Sequence, residues 1–580
     1  MAFQDFDLIS NRRQQERKQK IRRRITIAIV SSVAVLLIVG AVVGTVAYKN
    51  NQEVDTQQNK ASPAPPKAIN TAEKSVKTVC ATTDYKKTCE DSLLKAVKNN
   101  ATTQPKDILR FSFVVVSEEI DKVIKQASEL KFDNPLKKAA FDDCLVLLND
   151  AKEELNNSVS SIQDWGRVKS RTPDINNWLS AVLSYQQTCI DGFPDGEEKA
   201  ALEKMLKSSK ELGSNALAIV SQVSSVLSTL QVPEVKRNLL SLDEGYPSWL
   251  DAEHRRMLKA DTSKFTPNVI VAKDGTGNFT TVSEALNAMP LERTGRYVIY
   301  VKEGIYEENV IVTKKMVNVT IYGDGSQKSI ITGNKNYVDG VPTFQTATFA
   351  ALGGGFMAQS IGFRNTAGPE KHQAVALRVQ ADRSLFINCR MEGFQDTLYA
   401  QTHRQYYKSC YITGTVDFIF GDAAAVFQNC NINVRKPMEN QQNIVTAQGR
   451  MDKRQTTGIV LQNCKILADN TLEPEKAKFK SYLGRPWKEY SRTIVMETEI
   501  GDLIQPEGWL EWSGDFALKT LFYAEFNNKG PGSSTSGRVK WPGCKVIKRE
   551  EALKFTVGAF LQGESWLKEF DVNVRFSMFT

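Results

Sequence analysis

Three textures of apolar and polar positions follow one another along the chain. Residues 25–48 run without a charged side chain, long enough to cross a bilayer as a helix at about 20 residues per span. From 69 to 230 apolar residues recur at the helix period. Val116, Ile120, Val123, Ile124, Ala127 and Leu130 form one stripe; Cys144, Leu147, Leu148, Ala151 and Leu155 a second; Trp178, Leu179, Val182 and Tyr185 a third. Pro135 and Pro173 are expected between helices. An all-α up-and-down helical bundle is predicted. From 267 to 580 short β-branched strands, such as 297–301 and 317–322, alternate with glycine-bearing turns such as Gly323-Asp324-Gly325. The stretch 550–567 reads as partly helical and is expected to cap the end of this half.

A short phrase repeats within the β-rich half: Phe363-Arg364-Asn365, Phe386-Ile387-Asn388-Cys389, Tyr407-Lys408-Ser409-Cys410, Phe427-Gln428-Asn429-Cys430 and Leu461-Gln462-Asn463-Cys464. The spacings are 23, 21, 20 and 34 residues. Such a period marks an all-β solenoid, a parallel β-helix. Residues one period apart then lie on adjacent coils, about 4.8 Å apart. The phased cysteines read as an interior ladder.

Asp396 and Asp417 are 21 residues apart, which sets two carboxylates side by side. Like charges that close resist joint ionisation, so one should hold a proton while the other is an anion. That is a general acid beside a nucleophile or base. Gln395 adjoins the first aspartate, and Gln373 lies 23 residues before it; both are candidate amide donors to an oxyanion. Arg485, in Leu483-Gly484-Arg485-Pro486-Trp487, is the candidate cation that keeps one aspartate ionised. Trp487 is a candidate platform for a sugar ring. No Gly-x-Ser-x-Gly elbow and no zinc-ligand spacing accompany these residues, so a zinc site is not expected.

Composition adds a route and a substrate charge. The 580 residues carry a net charge of +9, and residues 1–24 form a basic segment ahead of the apolar run. Basic residues there predict a cytoplasmic N-terminus and a transmembrane signal anchor at 25–48; a cleaved signal peptide is the alternative. The rest of the chain should enter the secretory pathway. Asn-x-Ser/Thr triplets at Asn100, Asn156, Asn278 and Asn318 are candidate glycosylation sites. Residues 49–68 and 231–266 read as linkers, the second carrying the dibasic Arg255-Arg256-Met257-Leu258. Of the 9 cysteines, four lie in the bundle and allow three connectivities. The short gap between Cys80 and Cys89 favours their pairing, leaving Cys144 with Cys189. With no nucleic-acid motif, the basic balance points to an acidic polysaccharide.

The segments Gly393-Phe394-Gln395-Asp396-Thr397-Leu398-Tyr399, Val416-Asp417-Phe418-Ile419-Phe420-Gly421 and Leu483-Gly484-Arg485-Pro486-Trp487 resemble the signature segments of plant-type pectin methylesterases. The bundle is similar to the inhibitor domain that precedes the enzyme in longer members, and Arg255-Arg256-Met257-Leu258 to their processing motif. The resemblance implies a right-handed parallel β-helix that hydrolyses methyl esters of cell-wall homogalacturonan without a metal or cofactor. It implies Asp417 as nucleophile, Asp396 as acid then base, Gln395 and Gln373 as oxyanion donors, and Arg485, Trp487 and Thr343 as substrate contacts. It further implies a Cys410–Cys430 disulfide, a subtilisin-like processing protease, a proteinaceous inhibitor as partner, and secretion to the cell wall after release from the membrane. The long N-terminal apolar run departs from the family's short secretion signal. Two rival readings are another β-helix polysaccharide enzyme, a glycosidase or lyase, and a non-enzymatic cell-wall binding or inhibitory protein carried by the helical half.

Overall fold

The computed structural model describes residues 67–100, 104–130, 132, 134–229, 265–290, 292–570 and 572–579. The basic segment, the span at 25–48 and Arg255-Arg256-Met257-Leu258 lie outside the described residues. Among the described residues no helix is long and apolar enough to cross a membrane.

The N-terminal half is built from α1 (Lys67–Cys80), α2 (Lys86–Asn100), α3 (Pro105–Ala127), α4 (Pro135–Ser161), α5 (Val168–Asp191) and α6 (Glu197–Thr229). Proline opens α3 and α4, where its missing amide costs nothing. Asn134 caps α4, its Oδ1 accepting the Leu136 N–H at 2.8 Å. Pro173 does not separate helices as expected: it lies inside α5. Its missing amide falls in the opening turns, where Thr172 Oγ1 donates to the Val168 carbonyl. The periodic stripes meet in one core, with Leu147, Leu148, Ala151, Leu155, Leu179, Val182 and Tyr185 buried. Disulfides Cys80–Cys89 and Cys144–Cys189 tie α1 to α2 and α4 to α5.

The second half is a parallel β-helix. Three sheets of 11, 8 and 7 strands run along it, and strands from successive coils pair in parallel. The repeated phrase has a conformational cause. Asn388, Ser409, Asn429 and Asn463 all take left-handed backbone, with φ of 50°, 52°, 58° and 51°. Asparagine tolerates that region better than most residues. Each makes the corner between a strand of the 11-stranded sheet and one of the 8-stranded sheet. The corner turns the following cysteine inward, so Cys389, Cys410, Cys430 and Cys464 are buried. Asn365 belongs to a different phase. It ends the strand Gly362–Asn365, and the corner of that coil is Ser360 at φ 54°. Inside the coils Phe386, Tyr407 and Phe427 stack at 4.9 and 4.4 Å. Removing one such ring costs about 3–5 kcal/mol.

The resemblance-implied disulfide is absent: Cys410 and Cys430 are free thiols. Both are satisfied as thiols in the ladder. The Cys410 N–H donates to Cys430 Sγ, and the two S–H groups donate to the Phe386 and Tyr407 carbonyls. The C-terminal helical turns also depart from expectation. They do not cap the solenoid's end but pack along the outer face of the 11-stranded sheet. There Val557, Leu561 and Trp566 share a cluster with Leu385, Tyr406 and Val426.

The bundle lies against the solenoid through α4, α5 and the α1–α2 loop, and the contact has a charge polarity. Asp84, Asp150, Glu153, Asp174 and Asp191 come from the bundle. Lys314, Arg404, Lys453 and Lys488 answer them from the solenoid. His403 is buried between Asn177, Tyr185 and Glu154.

Candidate active site

The 7-stranded sheet positions the site. Its strands Leu398–Ala400 and Ile419–Gly421 are adjacent, with Leu398 opposite Ile419. Asp396 and Asp417 each stand two residues before these partners, so they occupy one phase of neighbouring coils. Both backbones are left-handed, φ 63° and 51°, and the Asp396 N–H donates to the Val416 carbonyl at 3.0 Å. Such strain persists only where surrounding structure imposes it. Gly421 closes the second segment at φ 124°, where a Cβ would lie 2.0 Å from the Ala400 carbonyl oxygen.

Both carboxylates are buried, Asp396 at 8% and Asp417 at 6% exposure. Arg485 separates them chemically. Its Nε donates to Asp417 Oδ1 at 2.9 Å and its Nη2 to Oδ2 at 2.6 Å. Burial raises the pKa of both aspartates. For Asp417 the two-pronged guanidinium opposes that rise. For Asp396 the neighbouring Asp417 charge adds to it, and the pKa goes well above the usual carboxyl range. The arrangement therefore holds a protonated Asp396 beside an ionised Asp417.

One cavity of about 530 Å³ gathers Thr343, Gln373, Gln395, Asp396, Asp417, Arg485 and Trp487, bringing together every sequence-predicted catalytic and substrate residue. Gln373 and Gln395 are half-buried on adjacent coils, linked by the Ala374 N–H donating to the Gln395 carbonyl. Trp487 packs edge-on to Phe420 at 5.9 Å. It fits because position 449 is glycine: a Cβ there would come within 2.8 Å of its ring. Tyr399 stacks on Phe420 at 4.3 Å, and the Arg485 guanidinium lies 4.4 Å from the Trp512 ring centre. Sequence reasoning missed Phe420, Trp512 and Lys488 as cleft residues. Phe420 and Lys488 sat within or beside quoted segments; Trp512 carried no periodic signal.

The bundle forms the cavity's remaining wall. The end of α5 and the loop to α6 contribute Thr188, Asp191, Phe193, Pro194 and Asp195. Thr188 Oγ1 is 3.4 Å from the Tyr399 hydroxyl, and Lys488 Nζ donates to Asp191 Oδ1 at 2.6 Å. Of the glycosylation triplets, Asn156, Asn278 and Asn318 are exposed.

Comparison with known proteins fits this geometry. Residues 268–564 match the Pectinesterase family model, and residues 74–219 match that of the plant invertase/pectin methylesterase inhibitor domain. The chain is 50% identical to pectinesterase/pectinesterase inhibitor 45 of Arabidopsis thaliana over the whole of both chains. It is 43% identical to pectinesterase 3 of Citrus sinensis, covering 85% of this chain and 86% of that one. A solved pectin methylesterase from carrot is 52% identical, aligns with 55% of this chain and all of its own, and gives a TM-score of 0.54. The chain belongs to the pectinesterase family, with an inhibitor-type helical domain ahead of the β-helix.

Proposed function

We propose that the β-helix hydrolyses methyl esters of homogalacturonan and that the helical half restrains it until the two are separated. The observation that carries the first part is the asymmetric pair: Asp417 gripped by Arg485, with Asp396 unpaired one coil away. Asp417 attacks the ester carbonyl carbon. Gln373 and Gln395 donate to the oxyanion that forms. Asp396 gives its proton to the methoxy oxygen, and methanol leaves. An anhydride then joins Asp417 to the substrate. Asp396, now an anion, takes a proton from water as the hydroxide attacks the anhydride. This frees Asp417, restores the proton on Asp396 and leaves a galacturonate acid that ionises. Arg485 keeps Asp417 ionised and oriented, while Trp487 and Thr343 hold the sugar chain.

The α5–α6 wall supports the second part, because a polymer cannot lie along a cleft that the bundle roofs. Cleavage at Arg255-Arg256-Met257-Leu258 by a subtilisin-like protease would release the enzyme to the cell wall. It would also separate the enzyme from an anchor at 25–48. The test is product identity on methyl-esterified homogalacturonan. Methanol with no new reducing ends and no unsaturated product supports the esterase. New reducing ends or unsaturated ends would support the glycosidase or lyase reading instead.

A further inference from the structure

We infer that Lys488 is a carboxylate-binding subsite that recognises an already de-esterified galacturonate unit near the ester being cleaved. The inference rests on the esterase reading above. Three cations line the cavity among the described residues: Lys199, Arg485 and Lys488. Lys199 belongs to the bundle and pairs with Asp195 there. Arg485 is committed to Asp417 within the solenoid. Lys488 differs from both. Its ion-pair partner, Asp191, comes from the bundle, and no carboxylate of the solenoid lies within salt-bridge distance among the described residues. Once the bundle leaves, Lys488 is a cation without a partner on the wall of the catalytic cleft.

Its position fits a sugar carboxylate. Lys488 directly follows Trp487, and its ammonium lies 4.9 Å from the centre of that ring. A galacturonate ring lying on the indole would bring its C6 substituent within reach of a neighbouring cation. An ester there offers only a neutral carbonyl, whereas a free carboxylate offers a charge-assisted hydrogen bond. The bundle already supplies such a group. The Asp191 carboxylate accepts from Lys488 at 2.6 Å and from Gln187 Nε2 at 2.9 Å. Lys210 in turn donates to Gln187 Oε1. Asp191 is thus held as a ready-made carboxylate at this point, standing where the product of the reaction would bind.

The full chain is made with a specific protease site in place of Arg255-Arg256-Met257-Leu258, cut, and the halves separated in high salt. The solenoid half is then assayed for methanol release at low salt. The substrates are two oligogalacturonides of equal length, one fully methyl-esterified and one half-esterified at random. The ratio of kcat/KM on the half-esterified to the fully esterified substrate should fall about 5- to 10-fold in Lys488→Ala, through KM. Lys488→Arg, which keeps the charge, should retain most of the ratio and guards against a folding defect in the alanine variant. An unchanged ratio in Lys488→Ala, with weaker rebinding of the helical half, would make Lys488 an interdomain contact only and overturn the subsite. Equal loss of the ratio in the arginine variant would also overturn it. No methanol from either substrate by the unsubstituted half would overturn the esterase reading and the subsite with it.

Discussion

Among the described residues, Arg485 binds both oxygens of Asp417 and leaves Asp396, one coil away, without a hydrogen-bonding cation. That asymmetry predicts a bell-shaped pH profile of kcat/KM. Activity rises as Asp417 loses its proton and falls as Asp396 loses its own. Arg485→Lys keeps a charge but loses the planar fork. Its acid limb should move to higher pH, because less opposes the effect of burial on Asp417, and kcat/KM should fall about 10²-fold. An unmoved acid limb would show that Arg485 does not set the ionisation of Asp417.

Asp396→Asn and Asp417→Asn should each abolish turnover, and Asp396→Asn should also change stability. Asp396 has a raised pKa when folded, so the native state keeps a proton that the unfolded chain releases. Its penalty is absent below the ordinary carboxyl pKa of about 4 and grows as pH rises toward the raised value. Asp396→Asn should therefore stabilise the protein near pH 7 and not below about pH 4. Thermal unfolding of Asp396→Asn at the two pH values checks the sign.

Gln373→Ala and Gln395→Ala should each lower kcat by about 10²–10³, the worth of one preorganised donor. Effects confined to KM would mean that these amides bind ground-state substrate only.

The side-by-side placement of Asp396 and Asp417 was legible in the sequence because one solenoid period maps directly onto one coil. The Asp396–Asp417 spacing therefore fixed their proximity before any coordinates. The bundle disulfides were legible for a related reason, short separation for Cys80–Cys89 and elimination for Cys144–Cys189. Asn365 misled because its phrase matched the corner motif in letters while its strand pairing put it in another sheet. Pro173 misled because α5 runs through it despite the intrahelical hydrogen bond that proline removes. The roof over the cleft could not be read at all. Contacts such as Asp191 with Lys488 span 297 residues and follow no period.

Contact between the halves should weaken as pH rises. Asp143 of α4 is half-buried against the solenoid residue Gln345, whose Nε2 donates to it at 2.9 Å. Burial raises its pKa to about 6. The docked state therefore favours the protonated acid, and docking is lost progressively as pH climbs from the free value through about 6. The cleaved halves should associate more tightly near pH 5 than near pH 7, and Asp143→Asn should flatten that dependence. Titration of one half into the other by calorimetry measures it.

The most direct test of the whole account is methanol release from methyl-esterified homogalacturonan by the full chain, before and after cutting between the halves. The uncut chain should release little methanol, the cut and separated solenoid much more, and the solenoid carrying Asp417→Asn none. Equal release before and after cutting would contradict restraint by the helical half. Methanol release by the Asp417→Asn solenoid would contradict the assignment of the nucleophile.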